Sequence, residues 1–222
     1  MSASRPRFRA PTALADDPQL LVLFCHPKPH RSRVNRRLVE AIGELPGVTV
    51  HDLYEAYPDG RIDVPREQEL LAAHHTVVLQ HPFYWYSVPP LLKQWFDVVL
   101  TWGWAYGRGG DQLRGKRLVT ALSSAGSEDA YQHQGLHGRT VIELLAPVAQ
   151  TAKLCGMDYL PPFVTHGTHA LDDEAIAAAA AEYRAVIAAL AEDRLPDAAR
   201  TLTRLNADLG WTHQPVAVPE RS

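Results

Sequence analysis

A short apolar run that breaks into a proline-bearing polar loop and then into a helix limits what this chain can become. Residues 20–42 read LLVLFC, HPKPHRS and RVNRRLVEAI. The first piece has strand length. Pro27 and Pro29 interrupt it, and Val34, Leu38 and Ile42 then recur at the i, i+4, i+8 spacing of a helix face. Ser32 stands at the N-cap position, where its side chain can accept from free backbone N–H groups. Strand, tight loop and capped helix form a βα turn that can hold an anion at the helix N-terminus. Neither GxGxxG nor a Walker A sequence occurs here. A phosphate would therefore rest on the Ser32 hydroxyl, backbone N–H groups and the His26 ring, with help from Arg33. An ordinary, well-capped βα turn fits the same residues.

The pattern then repeats. Strand-like runs at residues 48–53, 76–80, 117–122 and 157–165 alternate with helical periodicity at 65–73, 88–100, 140–155 and 173–191. A polar connection covers 54–64, Pro161-Pro162 interrupts the fifth strand, and Asp172 caps the last helix. Five alternations with right-handed crossovers predict an α/β fold, a doubly wound parallel sheet of five strands in the order 2-1-3-4-5 with helices on both faces. Ligands of such sheets sit beyond the carboxyl ends of the strands at the topological switch point. The loops 26–32, 81–87 and 123–127 follow strands one, three and four, which are adjacent in this order, so all three converge on one edge.

Composition bounds the function. The chain has 222 residues with 46% apolar side chains and a net charge of −3. One domain with a sizeable core is expected at residues 19–192, after a disordered tail at 1–18 and before an extension at 193–222. Neither the charge nor its distribution suggests a nucleic-acid partner. Cys25 and Cys155 lie in apolar surroundings, consistent with buried thiols in a reducing compartment. No secretory h-region or membrane-length apolar run occurs, so a cytoplasmic protein is expected.

The converging loops carry distinct chemistries. Phe83, Tyr84, Trp85 and Tyr86 offer stacking surface to a planar ligand, although a hydrophobic plug or a dimer contact would use the same side chains. Ser123, Ser124, Ala125 and Gly126 are small enough to let backbone approach a ring edge. Tyr131 and His137 could donate and shuttle protons, or stand at the surface as ordinary polar residues. Trp104 and Tyr106, in a glycine-rich aromatic segment, could cover a flat substrate or fill a subunit interface. No metal constellation, serine-nucleophile signature or base-flanked cysteine is found.

Together, HPKPHRSRVN, LQHPFYWYSVPPLLKQWFDVVLTWGWAYG, GKRLVTALSSAGSEDAY and QGLHG resemble the flavodoxin-like NAD(P)H:quinone oxidoreductases over about residues 20–190. HDLYEAYPDGRIDVPREQELL is similar to the ancillary subunits of glutathione-regulated Kef potassium efflux systems. The resemblance implies bound FMN. Its phosphate and ribityl region would be held at His26, Ser32, Arg33, Val34 and Asn35, and its ring by Phe83, Tyr84, Trp85 and Tyr86. The family's TTGG loop matches Ser123, Ser124, Ala125 and Gly126, with Ala in place of the first Gly. A Tyr and a His that stabilise the reduced flavin match Tyr131 and His137, and Trp104 and Tyr106 would meet substrate.

The implied activity is two-electron, ping-pong reduction of a quinone by NAD(P)H in a homodimer with its sites at the subunit interface. Two other roles stay open: a regulatory subunit on the cytoplasmic face of a potassium/proton antiporter, and a one-electron carrier. The choice between NADH and NADPH is also open. In the C-terminal extension, Leu195, Ala198, Ala199, Leu202, Leu205 and Leu209 are spaced as an amphipathic helix ended by Gly210, which would cover the chain's own core, a dimer partner or a membrane protein.

Overall fold

In the computed structural model, residues 19–213 are described, so the expectation of a disordered tail at 1–18 falls outside them. The elements are β1 (Leu20–Phe24), α1 (Arg33–Ile42), β2 (Val48–Asp52), α2 (Leu53–Ala56), α3 (Val64–Ala73), β3 (Thr76–Pro82), α4 (Pro90–Val99), β4 (Arg117–Ser123), α5 (Val141–Leu144), α6 (Ala146–Leu154), β5 (Asp158–Tyr159), β6 (Phe163–Thr165) and α7 (Asp173–Ala191). All pairings are parallel, in the order β2-β1-β3-β4-β5, with β6 also on β4. This is the expected order, with one refinement. The fifth position is filled by two short pieces, because Pro161 and Pro162 have no N–H to give a ladder.

The sheet divides the core in two. Along β1, Leu21 and Leu23 face a layer built with α3, α4 and α6, while Leu20, Val22 and Phe24 face α1 and α7. Alternation with period two does this, and a strand buried on both faces must therefore read as a continuous apolar run. In the first layer a buried carboxylate joins three elements. Glu67 Oε1 accepts from Tyr57 Oη at 2.6 Å and meets His51 Nε2 at 2.7 Å, and Oε2 accepts from Trp95 Nε1 at 2.8 Å. Burial opposes ionisation of Glu67, but these partners outweigh it and hold the carboxyl below its ordinary range. Both cysteines are free and buried, and burial pushes each thiol up.

The helix expected over 140–155 is broken at Leu145 into α5 and α6. Pro147 has no N–H for the carbonyl of Glu143, and its ring would collide with that carbonyl in a continuous helix. The expected polar connection at 54–64 holds the single turn α2, capped by Asp52 through Tyr54 N and Glu55 N.

The C-terminal extension is not an amphipathic helix. A 3₁₀ turn at Asp197–Thr201 is followed by irregular chain and a second 3₁₀ turn at Gly210–His213, which Gly210 begins rather than ends. The leucine spacing reflects docking onto one layer of the core rather than a helix face. Ala199, Leu205 and Trp211 are buried in the layer with α1 and α7, and Leu195, Leu202 and Leu209 pack against it. Backbone groups that a helix would pair internally serve the sheet edge instead. Leu205 N–H donates to Pro162 O at 2.8 Å, and the Asn206 amide takes the place of a neighbouring strand by accepting from Val164 N (3.1 Å) and donating to Val164 O (3.0 Å). The extension therefore covers the chain's own core.

Acid should loosen this fold before it reaches the carboxylates. Burial lowers His26 and His81 to about 4, and lowers His74 and His166 as well. An unfolded chain takes up these protons near the ordinary imidazole value of about 6.5, whereas the folded chain refuses them until far lower pH. Stability is thus full above about 6.5 and drains away as pH falls toward 4, after which Glu67 adds to the loss. Urea midpoints measured across this range should fall steadily; a flat profile between pH 7 and 5 would contradict the buried neutral histidines.

Candidate functional site

The carboxyl ends of β1, β3 and β4 open into a cleft of about 440 Å³, within the roughly 300–1,000 Å³ of small-molecule sites. Of the residues picked from sequence, His26, Ser32, Arg33, Val34, Asn35, Phe83, Tyr84, Ser123 and Ala125 line it. Pro82, Lys28, Arg31, Thr168 and His169 complete the wall. Three loops distant in sequence meet here, as the switch-point rule anticipates.

The α1 end of the cleft is arranged for an anion. Ser32 caps α1, with its Oγ accepting from Asn35 N at 3.0 Å. The first-turn N–H groups of Arg33 and Val34 have no helical carbonyl to pair with. The His26 ring is buried and neutral, and its Nδ1 accepts from Lys28 N at 3.0 Å. The ring proton therefore lies on Nε2, free to donate. Lys28, Arg31 and Arg33 add positive charge, and among the described residues no carboxylate lines the cleft. Arg33 is shared: it also pairs with Asp173 Oδ1 at 2.7 Å and donates to Leu171 O at 3.1 Å.

Asn35 lies deeper. Its Nδ2 donates to Ser123 Oγ at 2.7 Å and to Ser32 Oγ at 3.3 Å, which ties the first loop to the third. Its Oδ1 is buried without a hydrogen-bond partner among the described residues. A donor in the cleft would answer this acceptor, since a buried unpaired polar atom is costly.

The aromatic loop is held in an uncommon shape. Tyr84 and Ser87 exchange both backbone hydrogen bonds, at 3.0 and 2.9 Å, around Trp85 and Tyr86, whose φ angles are 49° and 63°. Positive φ at both central positions is a type I′ turn, a geometry that normally takes Asn-Gly. Two bulky aromatics in it signal local strain. Trp85 is 93% exposed, and Trp85 and Tyr86 do not line the cleft, so the loop gives it only Phe83 and Tyr84.

Tyr131 and His137 come together beside the cleft rather than in its wall. Their rings lie 4.3 Å apart, Phe83 is 5.9 Å from Tyr131, and Tyr86 Oη is 3.3 Å from His137 Nδ1. An aromatic path thus leads from the cleft wall to the exposed turn. Burial raises the Tyr131 phenol above its usual value, so it keeps its proton at neutral pH. Gly126 is small for a different reason from the one expected. A Cβ there would stand 2.9 Å from Tyr131 Cε2 and 3.2 Å from His137 Nε2, so the chain's own rings fill that space. Ser124 is buried, with its Oγ donating to Gly126 O at 3.0 Å, and neither residue lines the cleft.

Trp104 and Tyr106 are half-buried against the first core layer and are absent from the cleft wall. The wall residues that motif reading passed over have simple signals. Lys28 and Arg31 are the cations of the first loop, and Thr168 and His169 follow the exit of β6, where the switch-point rule also applies. Among the described residues no group of His, Cys, Asp and Glu is arranged to hold a metal, and no helix is long and apolar enough to cross a membrane.

Comparison with known proteins agrees with this geometry. A family described by its flavodoxin-like fold matches residues 18–187. The chain is 48% identical over 168 residues to the uncharacterized NAD(P)H oxidoreductase YdeQ of Bacillus subtilis (76% of this chain, 85% of the relative). It is 45% identical over 165 residues to KefF, the ancillary protein of the glutathione-regulated potassium-efflux system of Salmonella schwarzengrund (74% and 93%). Among solved structures, general stress protein 14 of Treponema denticola in complex with FMN is 41% identical with a TM-score of 0.74 (78% and 99% covered). An NADPH-quinone reductase of P. pentosaceus is 32% identical with a TM-score of 0.69 (76% and 96%). A parallel sheet in the order 2-1-3-4-5, a cation-lined cleft at its switch point and a match over residues 18–187 make this chain a member of the flavodoxin-like family.

Proposed function

We propose that this protein binds FMN in the cleft and reduces quinones with NAD(P)H, a two-electron, ping-pong oxidoreductase. The observation that carries the reading is the meeting, in one cavity, of an anion subsite at the start of α1 and an aromatic wall at Phe83 and Tyr84. FMN has these two chemistries at its two ends, and Asn35, which carries an unpaired Oδ1 among the described residues, lines the same cavity. The similarity to an NAD(P)H oxidoreductase, an NADPH-quinone reductase and an FMN complex supports the same choice.

When bound, the flavin supplies the two-electron redox chemistry. The protein's part is to bind, orient and manage protons. His26 Nε2, the Ser32 hydroxyl, the first-turn amides of α1, Lys28 and Arg31 would hold the phosphate. Asn35 and Ser123 would meet the ribityl chain, while Phe83, Tyr84 and the backbone around Ala125 would flank the ring. Ala125 lines an open cleft, so its methyl group leaves room. In the net reaction NAD(P)H, a quinone and a proton give NAD(P)⁺ and a hydroquinone. Tyr131, protonated by its burial, and His137, bridged to Tyr86, stand beside the cleft behind Phe83 and would deliver that proton. Trp85 and Leu136 are 93% and 87% exposed, and Leu136 adjoins His137 in sequence; apolar side chains this open would be covered by a second subunit.

The likeness to KefF over 93% of that protein supports a second reading, in which the flavoprotein also docks on a potassium efflux system at the inner face of the membrane.

Purified protein should show flavin absorbance near one per chain, bleached anaerobically by NADH or NADPH and restored by a quinone. Heat-released flavin should chromatograph as FMN. Colourless protein that takes up no FMN, or FAD as the main species, would overturn the reading.

Because Asn35 is buried, the fold-neutral probe of the phosphate site is the exposed pair Lys28 and Arg31. Charged hydrogen bonds contribute roughly 1.5–3 kcal/mol each. Lys28→Ala with Arg31→Ala, which removes two such contacts, should weaken FMN binding by roughly 10²–10⁴-fold at low salt and leave the apoprotein melting temperature unchanged. Unaltered affinity would put the phosphate elsewhere.

The strained turn gives a third test. Trp85→Asn with Tyr86→Gly supplies the residues a type I′ turn favours, so the protein should gain about 1–3 kcal/mol in chemical denaturation. Turnover should fall, because Tyr86 no longer meets His137. Equal or lower stability would mean that the aromatics are not strained.

A further inference from the structure

The C-terminal extension lies beyond the family match, yet it reaches the carboxyl end of the sheet. Two contacts anchor it there: Leu205 is fully buried and donates to Pro162 O, and Asn206 pairs with both backbone groups of Val164. Within the extension, Trp211 Nε1 donates to Leu205 O at 3.0 Å and holds the anchor in shape. Arg204, set between these anchors and the loop after β4, forms an ion pair with Glu128.

Glu128 begins the turn that carries the proton-handling pair. Its carbonyl accepts from Tyr131 N at 3.0 Å, and the carbonyl of Ala130 in the same turn accepts from His137 N at 2.9 Å. One short 3₁₀ turn, Asp129–Tyr131, therefore sets the backbone of both rings. Behind Tyr131 the extension supplies a wall: Thr203 and Arg204, with Glu128, Val164 and His166, line a recess of about 140 Å³. His166 completes the support, 5.6 Å from the Tyr131 ring and 3.1 Å from Ser124 Oγ through its Nδ1. From Arg204 to the cleft the contacts run without a gap: Arg204 to Glu128, Glu128 to Tyr131, Tyr131 to Phe83.

We propose that the C-terminal strap is part of the active site and that Arg204 is a positioning residue, holding through Glu128 the turn that sets Tyr131 and His137 against the cleft. This rests on the function proposed above. A half-exposed ion pair adds little to global stability, so the effect of Arg204 is local. A displacement of about 1 Å of a proton-donating group can cost up to ~10²-fold in rate.

The test uses the full-length protein as Arg204→Ala, Arg204→Lys and Glu128→Gln. In hydrogen exchange on the apoprotein, amides of residues 128–137 should exchange roughly tenfold faster in R204A and E128Q, with β1 and β3 unchanged. R204K, which keeps the charge, should restore most of the protection. In the FMN-loaded enzyme, R204A should lower kcat for a quinone roughly 5–20-fold while KM for NAD(P)H stays within about twofold, and R204K should recover it. Wild-type exchange and kcat in R204A would overturn the proposal. So would faster exchange throughout the sheet with a large fall in melting temperature, which marks a merely structural residue, or faster exchange at 128–137 with unchanged kcat. If the wild-type protein neither binds FMN nor oxidises NAD(P)H, the functional reading fails by itself, and unaltered exchange at 128–137 still rejects the strap.

Discussion

A buried line of hydrogen bonds on one face of the sheet ties the walls of the cleft together. Tyr183 of α7 donates to Gln80 Oε1 at 3.0 Å, Gln80 Nε2 donates to Asn35 O at 3.2 Å, and Asn35 Nδ2 donates to Ser123 Oγ at 2.7 Å. Four elements, α7, β3, α1 and β4, are registered by side chains that water does not reach. Away from water such a line is stiff when complete and costly when broken. Tyr183 is fully buried, and its burial pushes the phenol up, so this donor stays a donor. The line runs through Asn35 to Ser123, both in the wall of the cleft, and leaves Asn35 Oδ1 without a partner among the described residues.

Much of this was legible in the residues. β1 is apolar at every position because it is covered on both faces, and Ser32 and Asp172 cap their helices by local chemistry that needs no tertiary context. Convergence of the first and third loops followed from strand order alone. What escaped was set by contacts between distant parts. The leucines of the C-terminal segment repeat at helical spacing, but the edge of β6 and the α7 layer claim them, and the backbone follows the edge. The strand-like run at 157–165 includes β6, but the loop beyond it carries no motif, so Thr168 and His169 were not counted with the converging loops. Tyr131 and His137 were each legible as candidates, but their ring-to-ring contact comes from the His137 N–H to Ala130 O bond and the empty side of Gly126, neither of which a segment without periodicity announces. The role of Gly126 could not be read beforehand, because small residues near a ligand site and small residues under one's own rings look alike.

The Trp85–Tyr86 turn shows the opposite relation between local preference and use. Every other signal around the cleft agrees with its local geometry, whereas this turn places two bulky side chains where Asn-Gly belongs. Departures of this kind concentrate at working surfaces. Here the departure aims Tyr86 at His137 and leaves Trp85 in solvent beside the cleft.

The Asn206 amide carries a consequence for how this protein fails. Val164 offers an N–H and a C=O outward from the last strand, and a single side chain occupies both. If the strap peels away on warming, the sheet acquires a free parallel edge while the rest of the sheet is still folded. Free edges recruit strands from other chains. Thermal inactivation would then be a bimolecular event triggered by a local one, faster at higher protein concentration and irreversible once two edges have met. The same short amide that completes the sheet in one chain stands guard against its continuation into the next.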